Sequence, residues 1–261
     1  MSKKISIAID AMGGDNSPDK TIEGIKLFLD KNSKKNDFII NVFGNEDAIN
    51  DKLRKYKINF DYVKIIHTST IVSDEETPLT AIKNSKDSSM WNSINSQIID
   101  DSDISLSAGN TAVLFVISRM LLKTIEGVNK PALAGLWPNK KGVSVVLDLG
   151  ANIECDENNL VDFSEMGSAL FKSLFNDKKA KVALLNIGSE EMKGTESIKK
   201  AYLKLKEISR HGDFEFKGYV EGNKIFEGES NVIVADGFTG NIALKTAEGT
   251  SKFLTDSLKE S

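Results

Sequence analysis

The chain has 261 residues, of which 40% are hydrophobic and 28% charged, and its 34 basic and 38 acidic side chains give a net charge of −4. There is enough apolar material for one large domain or two small ones, disorder is disfavoured, and no basic excess exists to hold a nucleic acid backbone. With one cysteine, Cys155, and two histidines, His67 and His211, a disulfide scaffold is excluded and a His/Cys metal site is disfavoured, while a reducing, cytoplasmic setting fits.

The first apolar run, Ile5–Ile9, reads as a strand and is too short for a signal-peptide core. A helix after Pro18 places Ile22, Ile25, Phe28 and Leu29 on one face. Strands follow at Phe38–Phe43 and Tyr62–His67. A second helix is expected to begin near Pro78, where proline suits a first turn, and to carry Ala81, Ile82, Ser85 and Ser89. Lys83 and Lys86, three apart, would share one face of it. Beyond it lie a strand at Ile104–Ser107, a helix at Thr111–Lys123, a strand at Val143–Leu149 and a helix at Leu160–Asn176. The chain closes with strands at Val182–Ile187, Phe214–Lys217 and Val232–Ala235 and helices at Ser197–Ser209 and Ile242–Leu258.

The strands are rich in Ile and Val and mostly do not alternate, as expected when helices cover both faces of a parallel sheet. The predicted fold is therefore α/β, with a mostly parallel, doubly wound sheet. No run approaches the roughly 18 apolar residues of a membrane span. No repeat or linker marks a boundary, so residues 1–261 read as a single domain, one that stops on a helix with no closing strand.

The loops after the strands carry the chemistry. Asp10-Ala11-Met12-Gly13-Gly14-Asp15, Ser107-Ala108-Gly109-Asn110-Thr111, Asp148-Leu149-Gly150-Ala151-Asn152, Asn186-Ile187-Gly188-Ser189-Glu190 and Asp236-Gly237-Phe238-Thr239-Gly240-Asn241 each follow an apolar strand. In open α/β folds that edge binds ligands, and glycine-rich turns leading into helix N-termini suit an anion such as phosphate. Tight turns and helix caps use the same residues, so a single loop would be read as a turn; five on one edge point to a ligand site. No GxxxxGK[ST] or GxGxxG occurs, which leaves nucleotide binding by those modes unsupported. Lys193, just beyond the Asn186 loop, and Lys86, followed by Ser88 and Ser89, are candidate cations beside a phosphate.

Taken together, these segments resemble the bacterial acyl–acyl-carrier-protein:phosphate acyltransferases. The resemblance is carried by Ile9–Asp15 with Pro18, Lys83–Met90, Ser107–Thr111, Leu147–Asn152, Met166–Ser168, Leu184–Gly194, Ala235–Asn241 and Glu248-Gly249, in the family's order. It implies an α/β/α sandwich with a cleft, similar to phosphotransacetylases and isocitrate-type dehydrogenases, usually as a homodimer. It also implies neither metal nor nucleotide cofactor. The partners it implies are acyl carrier protein, inorganic phosphate and a membrane glycerol-3-phosphate acyltransferase that consumes the acyl phosphate. Relatives usually continue past the equivalent of Ser261 into a further glycine-rich segment and a region of peripheral membrane contact, so the chain reads as C-terminally truncated. It departs from the pattern at Ala112, where glycine is usual, and at Lys130, where arginine commonly precedes Pro131-Ala132-Leu133.

The expected reaction is attack of a phosphate oxygen on a thioester carbonyl. Thiolate leaves readily, so the site needs to position two reactants and stabilise an oxyanion rather than supply a nucleophile. Lys193 and Asp236 are the candidate catalytic residues. Asp10, Gly13, Gly14, Asp15, Lys86, Ser88, Ser89, Ser107, Gly109, Asn110, Thr111, Asp148, Asn152, Asn186, Gly188, Gly194, Gly237, Thr239, Gly240 and Asn241 are the candidate phosphate and substrate contacts. Backbone N–H groups at Gly109, Gly188 and Gly240 would grip the phosphate. Asp10 would orient Lys193 or an amide, and Asp236 would do the same or accept a proton. Three alternatives differ in kind: a phosphotransacetylase-like enzyme using coenzyme A thioesters, a decarboxylating dehydrogenase, and a non-catalytic lipid-binding regulator.

Overall fold

A computed structural model of the chain describes residues 4–32, 37–73, 77, 80, 83–99, 101–175 and 179–260. They fall into two compact units that meet in sequence at Lys123 and Thr124.

The first unit contains β1 (Ile5–Asp10), α1 (Asp19–Lys31), β2 (Phe38–Gly44), α2 (Glu46–Lys55), β3 (Val63–His67), α3 (Ser89–Asn95), β4 (Ile104–Ser107) and α4 (Thr111–Leu122). Its sheet has the order β3-β2-β1-β4, and every pairing is parallel. Ile22, Ile25 and Leu29 of α1 recur at helical spacing and pack with Ile49 and Leu53 of α2 over Ile40 and Val42. On a separate cluster, Met90 and Ile94 of α3 pack with Val113 and Ile117 of α4.

α2 is not among the expected helices, because Ile49 and Leu53 are its buried apolar residues in an otherwise polar segment. Its ends add to that packing. Asn45 caps it by accepting from the Ala48 amide, Glu46 and Asp47 lie in the first turn, and Lys52, Arg54 and Lys55 lie in the last. The expected start of a helix at Pro78, with Ala81 and Ile82, lies outside the described residues. Residue 85 is not helical and Lys86 and Asp87 form a turn, so Lys83 and Lys86 do not share a helix face. Asp87 has φ 67°, and α3 starts afresh after it, capped by Ser88.

The second unit contains β5 (Gly135–Asn139), β6 (Gly142–Leu147), α5 (Glu157–Leu174), β7 (Ala180–Asn186), α6 (Glu196–Ile208), β8 (Phe214–Glu221), β9 (Val232–Val234) and α7 (Gly237–Glu260). Its sheet has the order β5-β6-β9-β7-β8, parallel except for the β5–β6 hairpin. Both faces are covered. Val145, Leu147, Val182, Leu184, Val232 and Val234 pack with Leu160, Phe163, Ala201 and Leu205 of α5 and α6. The intervening Val146, Leu185 and Ile233 pack with Ala243, Leu244 and Ala247 of α7. Successive side chains of one strand thus enter opposite cores, which is why the sequence of these strands does not alternate. α7 is buried at Gly237 and Gly240, whereas every residue from Glu248 to Glu260 is exposed.

The α/β fold with mostly parallel strands is as expected, but it is built on two sheets. The five strand-end loops are therefore not on one edge: those after β1 and β4 belong to the first sheet, and those after β6, β7 and β9 to the second. No described helix is long and apolar enough to cross a membrane.

Candidate functional site

In the first unit, β1 and β4 are neighbours with Asp10 opposite Ser107, so their loops leave side by side. The Asp10 carboxylate is 2% exposed. It accepts from the Met12 amide at 3.1 Å and from Ser107 Oγ at 2.7 Å, and Ser107 Oγ in turn accepts from the Gly109 amide at 3.1 Å. The two loops touch through their backbones: a Cβ on Gly13 would lie 2.7 Å from both Asp10 Oδ2 and the Gly109 nitrogen. Gly14 has φ 85° and lies against the Ala108 carbonyl. Asp10 thus orients an amide and a hydroxyl. Asn110 caps α4, whose first residue is Thr111, by accepting from Ala112 and Val113 amides. Asp15 and Lys86 are exposed, and Ser88 and Ser89 are buried at the start of α3, Ser88 accepting from the Trp91 amide at 3.1 Å.

In the second unit, Asp148 is fully buried. Its carboxylate accepts from the amides of Leu133, Gly150, Ala151 and Asn152 and from Asn152 Nδ2, at 2.8–3.2 Å. Buried charge is tolerated when its lone pairs are met in this way. Asn152 also donates to the Pro131 carbonyl at 2.7 Å, and its own carbonyl accepts from the Gly237 amide at 2.8 Å.

Contrary to the sequence reading, Gly237–Asn241 is the first turn of α7 rather than a loop. Glycine is needed there for close approach. A Cβ on Gly237 would lie 2.5 Å from the Asn152 carbonyl oxygen, and one on Gly240 would lie 1.9 Å from the Asp148 carbonyl oxygen. Asn241 donates to the Leu149 carbonyl at 3.2 Å. The Gly109 and Gly240 amides, expected to grip phosphate, are engaged inside the protein, the first by Ser107 Oγ and the second by the Asp236 carbonyl at 2.9 Å.

Asp236 stands just before α7, where its carboxylate accepts from the Thr239 amide at 2.8 Å and from Thr239 Oγ1 at 3.0 Å. It lines an open cleft of about 700 Å³ with Lys130, Cys155, Asp156, Thr195 and Phe238. Lys130 donates to the Glu154 carbonyl at 2.9 Å. The sequence flagged Lys130 only as a departure from arginine; its place before Pro131-Ala132-Leu133 was the available signal for this wall of the cleft. Cys155 donates through Sγ to the Asn152 carbonyl, and burial pushes its thiol up to about 11. A thiol held protonated at neutral pH is a poor nucleophile.

Beyond β7, Asn186 ties down the loop that follows. Its Nδ2 donates to the Lys193 carbonyl at 3.0 Å, and its Oδ1 accepts from the Ile187 amide at 2.9 Å and packs against Gly194, which has φ 100°. Gly188 is buried under the Lys193 side chain. Lys193 pairs with Glu190 Oε1 at 3.0 Å, and that ammonium holds the Glu190 carboxyl below the usual range. The ion partner of Lys193 is thus Glu190, one of the two glutamates next to it in sequence. The Lys193 side chain stays half exposed, and the apolar side chains of Ile187 and Met192 in the same loop are largely exposed.

A family model described as "Fatty acid synthesis protein" matches residues 5–261. A phosphate acyltransferase from Pelagibacter ubique is 56% identical over 260 residues, covering 100% of this chain and 76% of that protein. A phosphate acyltransferase from Paramagnetospirillum magneticum is 39% identical over 260 residues, covering 100% of this chain and 73% of its own length. A phosphotransacetylase structure from Streptococcus pyogenes superposes with a TM-score of 0.67 at 14% identity, over 97% of this chain and 83% of that one, a likeness of fold. From Ile5 onward, the chain belongs to the phosphate acyltransferase family.

Proposed function

We propose that this acyltransferase takes a long-chain fatty acyl group from acyl carrier protein, transfers it to inorganic phosphate, and so supplies acyl phosphate to a membrane glycerol-3-phosphate acyltransferase in phospholipid synthesis. Acyl transfer to phosphate follows from the family; the carrier-protein donor and the place in phospholipid synthesis are proposed. The observation that carries the mechanism is the contrast in the second unit between a protonated, half-buried thiol and an accessible ammonium. Cys155 is held from ionising, and no histidine lines the cleft with it, so direct attack by phosphate on the thioester is favoured over an acyl-enzyme. Lys193 would neutralise charge on the phosphate or on the developing oxyanion. Asp236, already turned toward Thr239, would position that first turn or accept the proton from monohydrogen phosphate. Asp148, Asn152 and Gly240 would shape the loops of the second unit, as Asp10, Ser107 and Gly13 shape those of the first.

The test is turnover of a long-chain acyl carrier protein thioester, followed by release of the carrier thiol. Release that requires phosphate, and exceeds release from the matching coenzyme A thioester, is the expected result. Equal release without phosphate would remove the reaction, and preference for coenzyme A would replace the donor.

A further inference from the structure

We propose that the Glu190 carboxylate occupies the anion position beside Lys193, that substrate phosphate must displace it, and that Glu190 thereby sets the affinity for phosphate. The inference rests on the reading above, in which Lys193 neutralises the phosphate.

Two adjacent acids in the loop between β7 and α6 are put to different uses. Glu191 reaches α6, where its Oε1 accepts from the Tyr202 hydroxyl at 2.7 Å and from Lys206 Nζ at 3.0 Å. Tyr202 has ring neighbours in Tyr219 at 4.8 Å and Phe216 at 5.3 Å, and all three pack against the core of the unit. That carboxylate is therefore engaged by the body of the fold. Glu190 closes on Lys193 instead, at 3.0 Å, in a turn whose Lys193 amide donates to the Glu190 carbonyl at 3.0 Å.

Gly188 is the independent observation. It is buried, yet its φ lies outside the left-handed region, so its backbone conformation does not call for glycine. What the missing side chain makes room for is the ion pair: a Cβ there would lie 2.7 Å from Glu190 Oε2, 2.6 Å from Lys193 Cδ and 3.2 Å from Lys193 Nζ. A carboxylate thus lies against bare backbone with an ammonium at its side, the setting that suits a bound anion. The same ammonium keeps Glu190 ionised by holding its carboxyl below the usual range. An exposed ion pair of this kind is weak, and phosphate brings more charge and more acceptor oxygens than a carboxylate. Phosphate can therefore win the exchange, while the carboxylate still lowers its apparent affinity.

Inorganic phosphate titrated into the 261-residue chain, followed by phosphorus NMR line width at constant ionic strength, tests this without thioester or turnover. Glu190→Gln should tighten phosphate about two- to fivefold. Glu191→Gln removes the same charge one residue away and should bring no such gain. In turnover, the KM for phosphate should fall in Glu190→Gln by the same factor. Unchanged affinity in Glu190→Gln would show that the carboxylate does not compete, and equal tightening in both variants would reduce the effect to net charge; either result overturns the proposal. Unchanged affinity in Lys193→Ala, or no binding to the parent chain, would take the phosphate away from Lys193 and overturn it as well, while phosphate-dependent release of the carrier thiol tests the reaction separately.

Discussion

Within the second unit, the loop after β6 and the loop after β7 look alike in sequence, each a short run with an amide or acid, a glycine and small polar residues. In space they are opposites. The first is fastened: Asp148 is fully buried and satisfies five N–H donors, and α7 presses its backbone onto the Asp148 carbonyl at Gly240. The second is tied at its base by Asn186 and left open at its tip, where Lys193 is half exposed. A glycine-rich turn can serve contact between backbones or access for a ligand, and hydrogen-bond partners show which. The fastened loop sets geometry, and the open one offers a charge that can be used.

The largest effects should come from breaking the fastened side. Asp148→Ala would strand several buried donors, each costing about 1–3 kcal/mol, so stability should fall by about 4 kcal/mol or more in urea unfolding. Gly240→Ala should cost about 3 kcal/mol, because the methyl meets a carbonyl oxygen rather than a flexible side chain. A normal melting profile for either variant would mean the two loops are alike after all.

On the open side the expectation reverses. Lys193→Ala should melt normally, since exposed ion pairs contribute about 0–1 kcal/mol, yet lose a hundred- to thousand-fold in turnover at saturating phosphate. Lys193→Arg should retain part of the activity. A folded Lys193→Ala variant with near-normal turnover would leave neutralisation to other groups.

A smaller effect concerns Cys155, hydrogen-bonded to Asn152 on the fastened side. Its folded value is raised above that of a free thiol, so the thiolate is suppressed at neutral pH and appears as pH rises toward about 11. Alkylation by iodoacetamide should therefore be slow near pH 8 and climb across pH 9–11, and Cys155→Ser should keep turnover within a few-fold. Loss of turnover on that conservative change would restore a covalent route.

The smallest effect concerns α6, whose basic residues make it a candidate for docking an acidic carrier. Lys199, Lys204 and Lys206 are already paired with Glu196, Asn158 and Glu191, while Lys200 is exposed. Reversing charge at Lys199 and Lys200 should raise KM for acyl carrier protein several-fold and weaken its salt dependence, with kcat unchanged. An unchanged KM places the carrier elsewhere.

The strands were legible because burial on both faces writes an unbroken apolar run. β5 was not: Gly135-Leu-Trp-Pro-Asn contains a proline, which an edge strand tolerates and a central one does not. The division into two sheets was hidden because strand pairing joins residues far apart, as Val145 with Val232. Asp10, Asp148 and Asn186 stand out in the sequence only as polar residues at strand ends, and their work as acceptors for particular amides needs coordinates. The opening of α7 was misread because two glycines in five residues argue against a helix, until the carbonyls pressed against them are known.

That opening has a kinetic consequence. Starting a helix is the difficult step and extending it is easy, so a turn pinned in advance acts as a nucleus from which the rest can propagate. In α7 the pinned turn is Gly237–Asn241, while from Glu248 onward the helix has no buried side chain. Amide exchange should therefore run as a gradient, slow near Gly240 and fast toward Glu260, the far half opening and reclosing many times while the near half stays shut. Loosening Gly240 would then raise exchange throughout the distal turns.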